Sequence, residues 1–199
     1  MVVFKNKSWT MVPDFPCSKY DDNAPYWVED NSKIANFIIN SNGHFKITKT
    51  DETGKILSIE EYYPIEELKE NKKQEINQAC SSLIYSGYDY NGEHYDLSDE
   101  DQINMLAWSS VAQQGNSVPY HSSGNPCRTY TSEEFLSLVA AITSFKTYNL
   151  TYCNLLKQQV DEMTNSEEVK VVVYGVTKLN EKYQEIMNTI LGGQNETIS

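Results

Sequence analysis

The sequence predicts an α+β protein: a small N-terminal antiparallel β module, followed by a mainly helical domain with a short β-hairpin and a long helix. Asn91-Gly92 lies between two short runs that alternate aromatic and polar residues. This pattern is the strongest short-range signal for a hairpin, because both central residues of a type I′ turn need positive φ. Further along, Thr131-Ser132-Glu133-Glu134 has the pattern of a capping box and precedes a long apolar repeat of helical spacing. Before Pro64, short apolar runs are separated by turn residues, which is typical of strands.

Residues 1–64 are predicted to form a β-meander module. Its last two strands alternate apolar and polar residues and are separated by turn-forming residues, as expected for half-buried strands. Three prolines (Pro13, Pro16 and Pro25) bias the segment around them towards extended loop. The predicted strands cover residues 2–4, 9–12, 34–39, 44–48 and 56–59.

Residues 65–176 are predicted to form the helical domain. Pro64 is a suitable residue to open its first helix, and Gly87 fits the end of that helix. Ser98 precedes three acidic residues and is predicted to cap a second helix, which Ile103, Leu106, Ala107 and Ser110-Val111 continue to about Gln114. The third helix follows the capping box and is long, since about 30 residues at 1.5 Å each give roughly 45 Å.

Residues 177–199 are predicted to form an amphipathic C-terminal helix and a disordered tail. The preceding residues, 169–176, are ambiguous, because they are rich in Val and contain Gly175. From Lys178 onwards the apolar residues recur at helical spacing, and Gly192-Gly193 is expected to end the helix. The polar residues that follow, up to Ser199, are expected to be disordered.

The charge of the chain excludes several classes of partner. A formal net charge of -12 argues against binding to nucleic acid or to an anionic membrane surface. Arg128 is the only arginine, so recognition of anions by an arginine cluster is also disfavoured. We expect no signal peptide, because the first residues lack a long apolar run, and no apolar run in the sequence approaches the ~20 residues of a membrane span.

The sequence shows no motif for catalysis or for a cofactor. The four cysteines have no metal-ligand spacing and are expected to be reduced and partly buried. His94 and the acidic residues around it (Asp89, Glu93 and Asp96) are the densest candidate metal site, which we interpret as the polar edge of a hairpin. Cys127 and His121 lie close in sequence, but Pro126 favours a loop there over an activated nucleophile. We therefore expect no enzyme activity, no metal and no cofactor.

Aromatic and apolar residues are the candidates for a protein interface. Tyrosine is enriched at interfaces because it buries a large area at low entropic cost. Two other interpretations of the tyrosines remain open, namely ordinary core packing and a platform that stacks on sugars. The candidate interface residues are Tyr88, Tyr90, Tyr95, Tyr120, Leu179, Tyr183, Ile186 and Ile190.

Four motifs follow one another in the middle of the chain. They are Lys73-x-Glu75-Ile76, Gly87-Tyr88-Asp89-Tyr90-Asn91-Gly92 with Tyr95-Asp96, Ser98-x-x-Asp101-Gln102-Ile103-Asn104, and Tyr130-Thr131-Ser132-Glu133-Glu134-Phe135. By the order of these motifs, the chain from Lys72 to about Val176 resembles a domain of unknown function that recurs in bacteriophage tail-fibre and baseplate-region proteins. Pro119-Tyr120-His121 departs from the resemblance, since a tryptophan-containing strand is usual at this place.

The resemblance implies a role in the virion or in its assembly, with no catalytic residues. We expect a non-enzymatic structural protein of the tail, baseplate or fibre apparatus, made in the host cytoplasm and located in the virion. Its expected partners are other phage structural proteins, in a homo-oligomer or a symmetric assembly. One alternative is a tail-fibre assembly chaperone that is not retained in the virion. A second is a carbohydrate-binding component of a host-surface adhesin.

Overall fold

Helices outweigh strands in the computed structural model of the chain, which describes residues 2–5, 8–11, 26–29 and 32–195. The structure is 55% helical and 17% strand, with short antiparallel hairpins and one long helix, which confirms the predicted α+β class. The chain divides into two units, Met1–Pro64 and Ile65–Ser199. Pro13, Pro16, Pro25 and Cys17 lie outside the described residues.

Among its described residues, the first unit contains two small sheets and one helix. Strand β1 lies between β2 and β3 and pairs antiparallel with both. Strands β4 and β5 form a separate antiparallel hairpin, whose turn is held by Asp51 Oδ1 accepting hydrogen bonds from the Thr53 and Lys55 amides at 2.8 and 3.0 Å. The elements are β1 (Val2–Lys5), β2 (Ser8–Met11), β3 (Tyr26–Val28), α1 (Lys33–Asn40), β4 (Phe45–Thr50) and β5 (Ile56–Glu61).

The prediction of a strand over residues 34–39 is wrong, because these residues lie in helix α1. The Ser32 side chain caps this helix by accepting a hydrogen bond from the Ala35 amide at 3.0 Å. Ala35 and Ile38 are three residues apart, so both reach the core of the unit, where they pack with Val28 and Ile56. The meander is therefore reduced to the β4–β5 hairpin.

The second unit contains four helices of eight residues or more, one short helix and two hairpins among its described residues. Strands β6 and β7 pair in the first hairpin, and β8 and β9 in the second, both antiparallel. Residues 117–130, which we expect as a loop or an irregular hairpin, thus contain a regular two-stranded pair. The elements are α2 (Ile65–Tyr85), β6 (Tyr88–Tyr90), β7 (Glu93–Tyr95), α3 (Asp99–Ala112), β8 (Val118–Tyr120), β9 (Arg128–Tyr130), α4 (Ser132–Glu162), α5 (Ser166–Lys170) and α6 (Glu181–Asn195).

Local signals in the sequence correctly locate the first hairpin and the starts of two helices. Asn91 and Gly92 both have positive φ, 51° and 82°, as a type I′ turn requires. Ser98 and Asp101 form a capping box at the start of α3, and Thr131 and Glu134 form another at the start of α4. Helix α4 is 31 residues long, close to the predicted length.

Helix α4 runs through both hydrophobic clusters of the second unit. Its first half packs through Phe135, Leu138 and Ile142 against the two hairpins and α3. The second half packs through Leu156 and Val160, among others, against α2, α5 and α6. Helix α4 therefore connects the hairpin half of the unit to the all-helical half.

The structure resolves the ambiguous part of the C-terminal segment and differs from the prediction at its end. Residues 169–176, which the sequence left ambiguous, span the end of the short helix α5 and the turns after it. Helix α6 continues through Gly192-Gly193 to Asn195, whereas these glycines were expected to end it. The C-terminal helix packs into the second unit, because Leu179, Tyr183 and Met187 belong to the core of that unit. The predicted disordered tail, from residue 196 onwards, lies outside the described residues.

Gly87 lies between α2 and the first hairpin at a place that excludes any side chain. Its φ is +91°, and a Cβ atom there would lie 2.3 Å from His94 Nε2 and 2.7 Å from the Tyr95 carbonyl oxygen. Gly87→Ala should lower the free energy of unfolding by about 2–4 kcal/mol, since backbone strain and overpacking add. Urea denaturation would measure this loss.

Gly92→Ala is the matched control, because Gly92 has a similar φ of +82° but nothing within 4 Å of the added Cβ. This variant should lose only the backbone component, about 1–2 kcal/mol. Equal losses in the two variants would contradict the close contact inferred at Gly87.

Candidate contact surface and hairpin pocket

Three of the five tyrosines predicted at an interface are core residues, and two of these three lie in the hairpin half of the second unit. Tyr95 and Tyr120 are 2% and 9% exposed and pack with Tyr130 and Phe135. The rings of Tyr120 and Phe135 meet edge to face, with centroids 5.1 Å apart. Burial raises the pKa of Tyr120 to about 12. These two side chains stabilise the fold and are removed from the candidate interface.

Tyr88 and Tyr90 are half-buried and pack against the same core. The Tyr88 ring lies 4.9 Å from the Phe145 ring of α4, measured between centroids. Their outer parts remain accessible, so a contact role for these two tyrosines stays a prediction.

The predicted apolar stripe of the C-terminal helix is divided between core and surface. Leu179 and Tyr183 are buried in the core of the second unit. Ile186 and Ile190 are 37% and 43% exposed. Because the larger part of the stripe is already covered by the chain itself, little apolar surface on α6 remains for an oligomer contact.

An apolar groove between α3 and α4 was not predicted. Its cavity volume is about 330 Å³, and Met105 and Ile142 are among its buried lining residues. On its rim, Ile103 and Leu106 are 67% and 71% exposed, which is high for large aliphatic side chains. Lys146 on α4 donates a hydrogen bond to Gln102 Oε1 on α3 across the groove.

The sequence predicts the helix that carries this surface but not which of its faces is exposed. Ile103, Leu106 and Ala107 recur at helical spacing, which correctly predicts a helix but does not say which face packs inward. In the structure Met105, Ser109 and Ala112 are the buried residues of α3. The apolar residues at 103 and 106 therefore face solvent, and their exposure marks a candidate contact surface.

A polar pocket lies between the first hairpin and the start of α4. It has a volume of about 280 Å³, and its lining includes Tyr90, Glu93, Arg128, Tyr130 and Glu133. The Glu93 carboxylate accepts hydrogen bonds from the Tyr95 hydroxyl at 2.8 Å, from Arg128 at 3.3 Å and from Ser122 at 3.2 Å. The Tyr95 hydroxyl, and then Arg128, hold the pKa of Glu93 below its usual value, so Glu93 is ionised at neutral pH.

His94, the centre of the densest predicted polar cluster, is tied to the hairpin. Its Nδ1 lies 2.6 Å from Asp89 Oδ1, and its Nε2 lies 3.9 Å from Asp96 Oδ1. The hydrogen bond to Asp89 raises the pKa of His94. Within residues that the structure describes, no group of three or more His, Cys, Asp or Glu side chains is arranged to hold a metal ion.

The cysteine thiols lie in contrasting environments. Cys80 and Cys153 are free and buried, and Cys127 is free and exposed. Burial, and then the neighbouring Cys80, raises the pKa of Cys153 to about 11, so this thiol is protonated at neutral pH and unreactive. His121, considered with Cys127 as a nucleophile and base, has its Nδ1 3.1 Å from the Ser122 carbonyl oxygen.

The second unit is thus a mainly helical α+β domain organised on one long helix. Residues 67–173 match the model of a family described as a domain of unknown function, DUF4376. The match covers more than half of the 199 residues, so the chain belongs to this family. No curated protein and no solved structure matches the chain significantly. None of the described helices is both long enough and apolar enough to cross a membrane.

The hairpin should lose stability as the pH rises. A histidine whose pKa is raised by folding contributes its full stabilisation below the unfolded pKa of about 6.5, and loses it as the pH rises through the folded pKa. When the pH is raised from about 5.5 to about 8.5, the melting temperature of the wild type should decrease more than that of the Asp89→Asn variant. Thermal unfolding at both pH values would measure this. Equal falls would contradict an ion pair between His94 and Asp89.

Tyr183 and Ile190 lie on the same helix, but truncation should cost much more stability at Tyr183 than at Ile190. Tyr183→Ala should lower the free energy of unfolding by about 3–5 kcal/mol, because it removes a buried ring from the core. Ile190→Ala, at an exposed position, should change it by no more than about 1 kcal/mol. Chemical denaturation of the two variants would test this, and a small loss at Tyr183 would show that α6 does not pack as described.

Proposed function

We propose that this protein is a non-enzymatic structural component of a bacteriophage virion, in the tail, baseplate or fibre apparatus, and that it acts through protein-protein contacts. The ordered motifs from Lys72 to Val176, which resemble a domain of phage tail proteins, support the virion role. The exposure of Ile103 and Leu106 beside the α3–α4 groove is the observation that supports protein contact. The protein would be made in the host cytoplasm and located in the particle.

The groove suits an apolar segment of another structural protein of the same particle. Its lining is mostly apolar, and the rigid helices on both sides keep it open without a partner. Burying Ile103 and Leu106 would contribute about 1.5–3 kcal/mol for each side chain, before the cost of association is subtracted. This contact is therefore sufficient to anchor an interface but too small to be the whole of it.

The charge of the chain favours a different protein over a second copy in this groove. The net charge is -12, and the first turn of α3, which leads into the groove, carries Asp99, Glu100 and Asp101. Two copies joined through this face would bring like charges together, which costs free energy and suppresses self-association. Copies would then be arranged symmetrically by the particle and not by direct contact through α3.

Mass spectrometry of purified particles tests the virion role. We expect the protein in particles of the phage that encodes it, at a fixed copy number. Its absence from particles, together with its recovery on unfinished fibres, would contradict the proposal and support the alternative of an assembly chaperone.

The double variant Ile103→Ser with Leu106→Ser should be present in particles at a copy number at least about tenfold lower. A loss of about 1.4 kcal/mol in binding free energy is enough to weaken the affinity tenfold. Stability should change by no more than about 1 kcal/mol, since both side chains are exposed. Ile190→Ser is the control, being an exposed isoleucine outside the groove. If the double variant is incorporated at the wild-type copy number, the groove is not the contact. If light scattering shows that the wild type is a dimer and the double variant a monomer, the groove binds a second copy.

A further inference from the structure

The pocket beside the first hairpin has the properties of a built binding site and is independent of the α3–α4 groove. Its volume of about 280 Å³ is just below the range of about 300–1,000 Å³ typical of sites for drug-sized ligands. The pocket is therefore of a size for one small unit, such as a single ring with its substituents. Its walls come from both strands of the hairpin, from β9 and from the first turns of α4.

The polar groups on one wall are held in place before any ligand arrives. Glu93 accepts three hydrogen bonds from side chains of its surroundings. The central carbon of the Arg128 guanidinium lies over the Tyr130 ring, 3.6 Å from the ring centroid. The Tyr130 hydroxyl lies 3.0 Å from the Tyr95 hydroxyl. Such preorganisation lowers the entropic cost of binding a ligand.

The charges in the pocket disfavour an anionic ligand, and Arg128 restricts the approach of a cation. An anion would meet the carboxylates of Glu93, Glu133 and Glu134, which line the pocket. A cation would meet the guanidinium of Arg128, and that guanidinium already covers the Tyr130 ring face. A neutral ligand with hydroxyl groups can donate hydrogen bonds to the carboxylates and accept them from the guanidinium.

The rest of the lining provides apolar contact for such a ligand. The half-buried Tyr90 ring and the buried Leu138 side chain line the pocket together with the polar groups. A sugar ring has hydroxyl groups at its edge and C–H groups on its faces, so one face packs on an aromatic ring while the edge forms hydrogen bonds. Two neighbouring hydroxyls match the paired Glu93 and Arg128, one donating to the carboxylate and the other accepting from the guanidinium.

We propose that this pocket binds a neutral hexose unit of a carbohydrate, with Glu93 and Arg128 as the hydrogen-bonding pair and Tyr90 as the packing surface. The proposal does not depend on the virion role. It is tested on the isolated protein, so its failure and that of the proposed function are distinguishable.

The test is a titration of the ¹⁵N-labelled full chain, followed by amide chemical shifts, with the methyl α-glycosides of glucose, galactose, mannose and rhamnose, and with N-acetylglucosamine. At least one probe should bind with a Kd on the order of millimolar. The shifted amides should be confined to residues 89–95 and 128–138. Arg128→Gln should weaken binding at least about tenfold, as expected for loss of a charge-assisted hydrogen bond, while the spectrum away from the pocket stays unchanged.

Two controls separate the pocket from the rest of the surface. Ile103→Ser with Leu106→Ser should bind the same probe with unchanged Kd, since these residues line the other cavity. Tyr90→Leu keeps an apolar side chain against the core but removes the ring, and should also weaken binding. Absence of shifts with all five probes would overturn the proposal, as would stronger shifts of the same amides with inorganic phosphate or with Nα-acetyl-lysine amide.

Discussion

The burial of helix α4 on both of its halves is the constraint on which the second unit depends. Phe145 lies at the junction, since it packs against both hydrophobic clusters. One helix thereby connects the two hairpins and α3 at its beginning to α2 and α6 at its end. A 31-residue helix exposed to water on all sides would gain little from its amphipathic pattern, because helix stability in proteins comes mainly from tertiary packing.

Buried polar contacts complement this apolar packing and hold the neighbouring elements to α4. Asn149 is buried on α4, donates to the Phe145 carbonyl at 2.8 Å and accepts from the Tyr174 hydroxyl at 3.0 Å. Tyr152 donates to the Thr177 carbonyl at 2.6 Å, so two tyrosine contacts attach the segment after α5. Lys69 of α2 reaches the Asp161 carbonyl at 2.9 Å. An unsatisfied buried polar group costs about 1–3 kcal/mol, so these contacts specify how the elements pack.

The sequence predicts the structure well where the physical cause is local and poorly where it is tertiary. Asn91-Gly92 and the Thr131–Glu134 box need only their own backbone geometry, and both form as expected. Residues 34–39 have an apolar composition that fits a strand or a helix, and the Ser32 cap together with burial of Ala35 and Ile38 favours the helix. Periodicity predicts helix α3 but not that Ile103 faces solvent. The hairpin pocket was beyond prediction, because Glu93 and Arg128 meet only after both hairpins pack on α4.

The two candidate sites share this scaffold, which explains how a chain without catalytic motifs presents two different surfaces. Val139, Ile142 and Lys146 of α4 line the apolar groove, whereas Ser137 and Leu138 line the polar pocket. Successive residues of a helix point about 100° apart, so one rigid helix presents neighbouring side chains to different surroundings. Because Phe135 and Leu138 anchor this part of α4 in the core, neither cavity has to be assembled by its ligand. Preformed surfaces suit the structural role proposed above, because such surfaces bind without a large loss of conformational entropy.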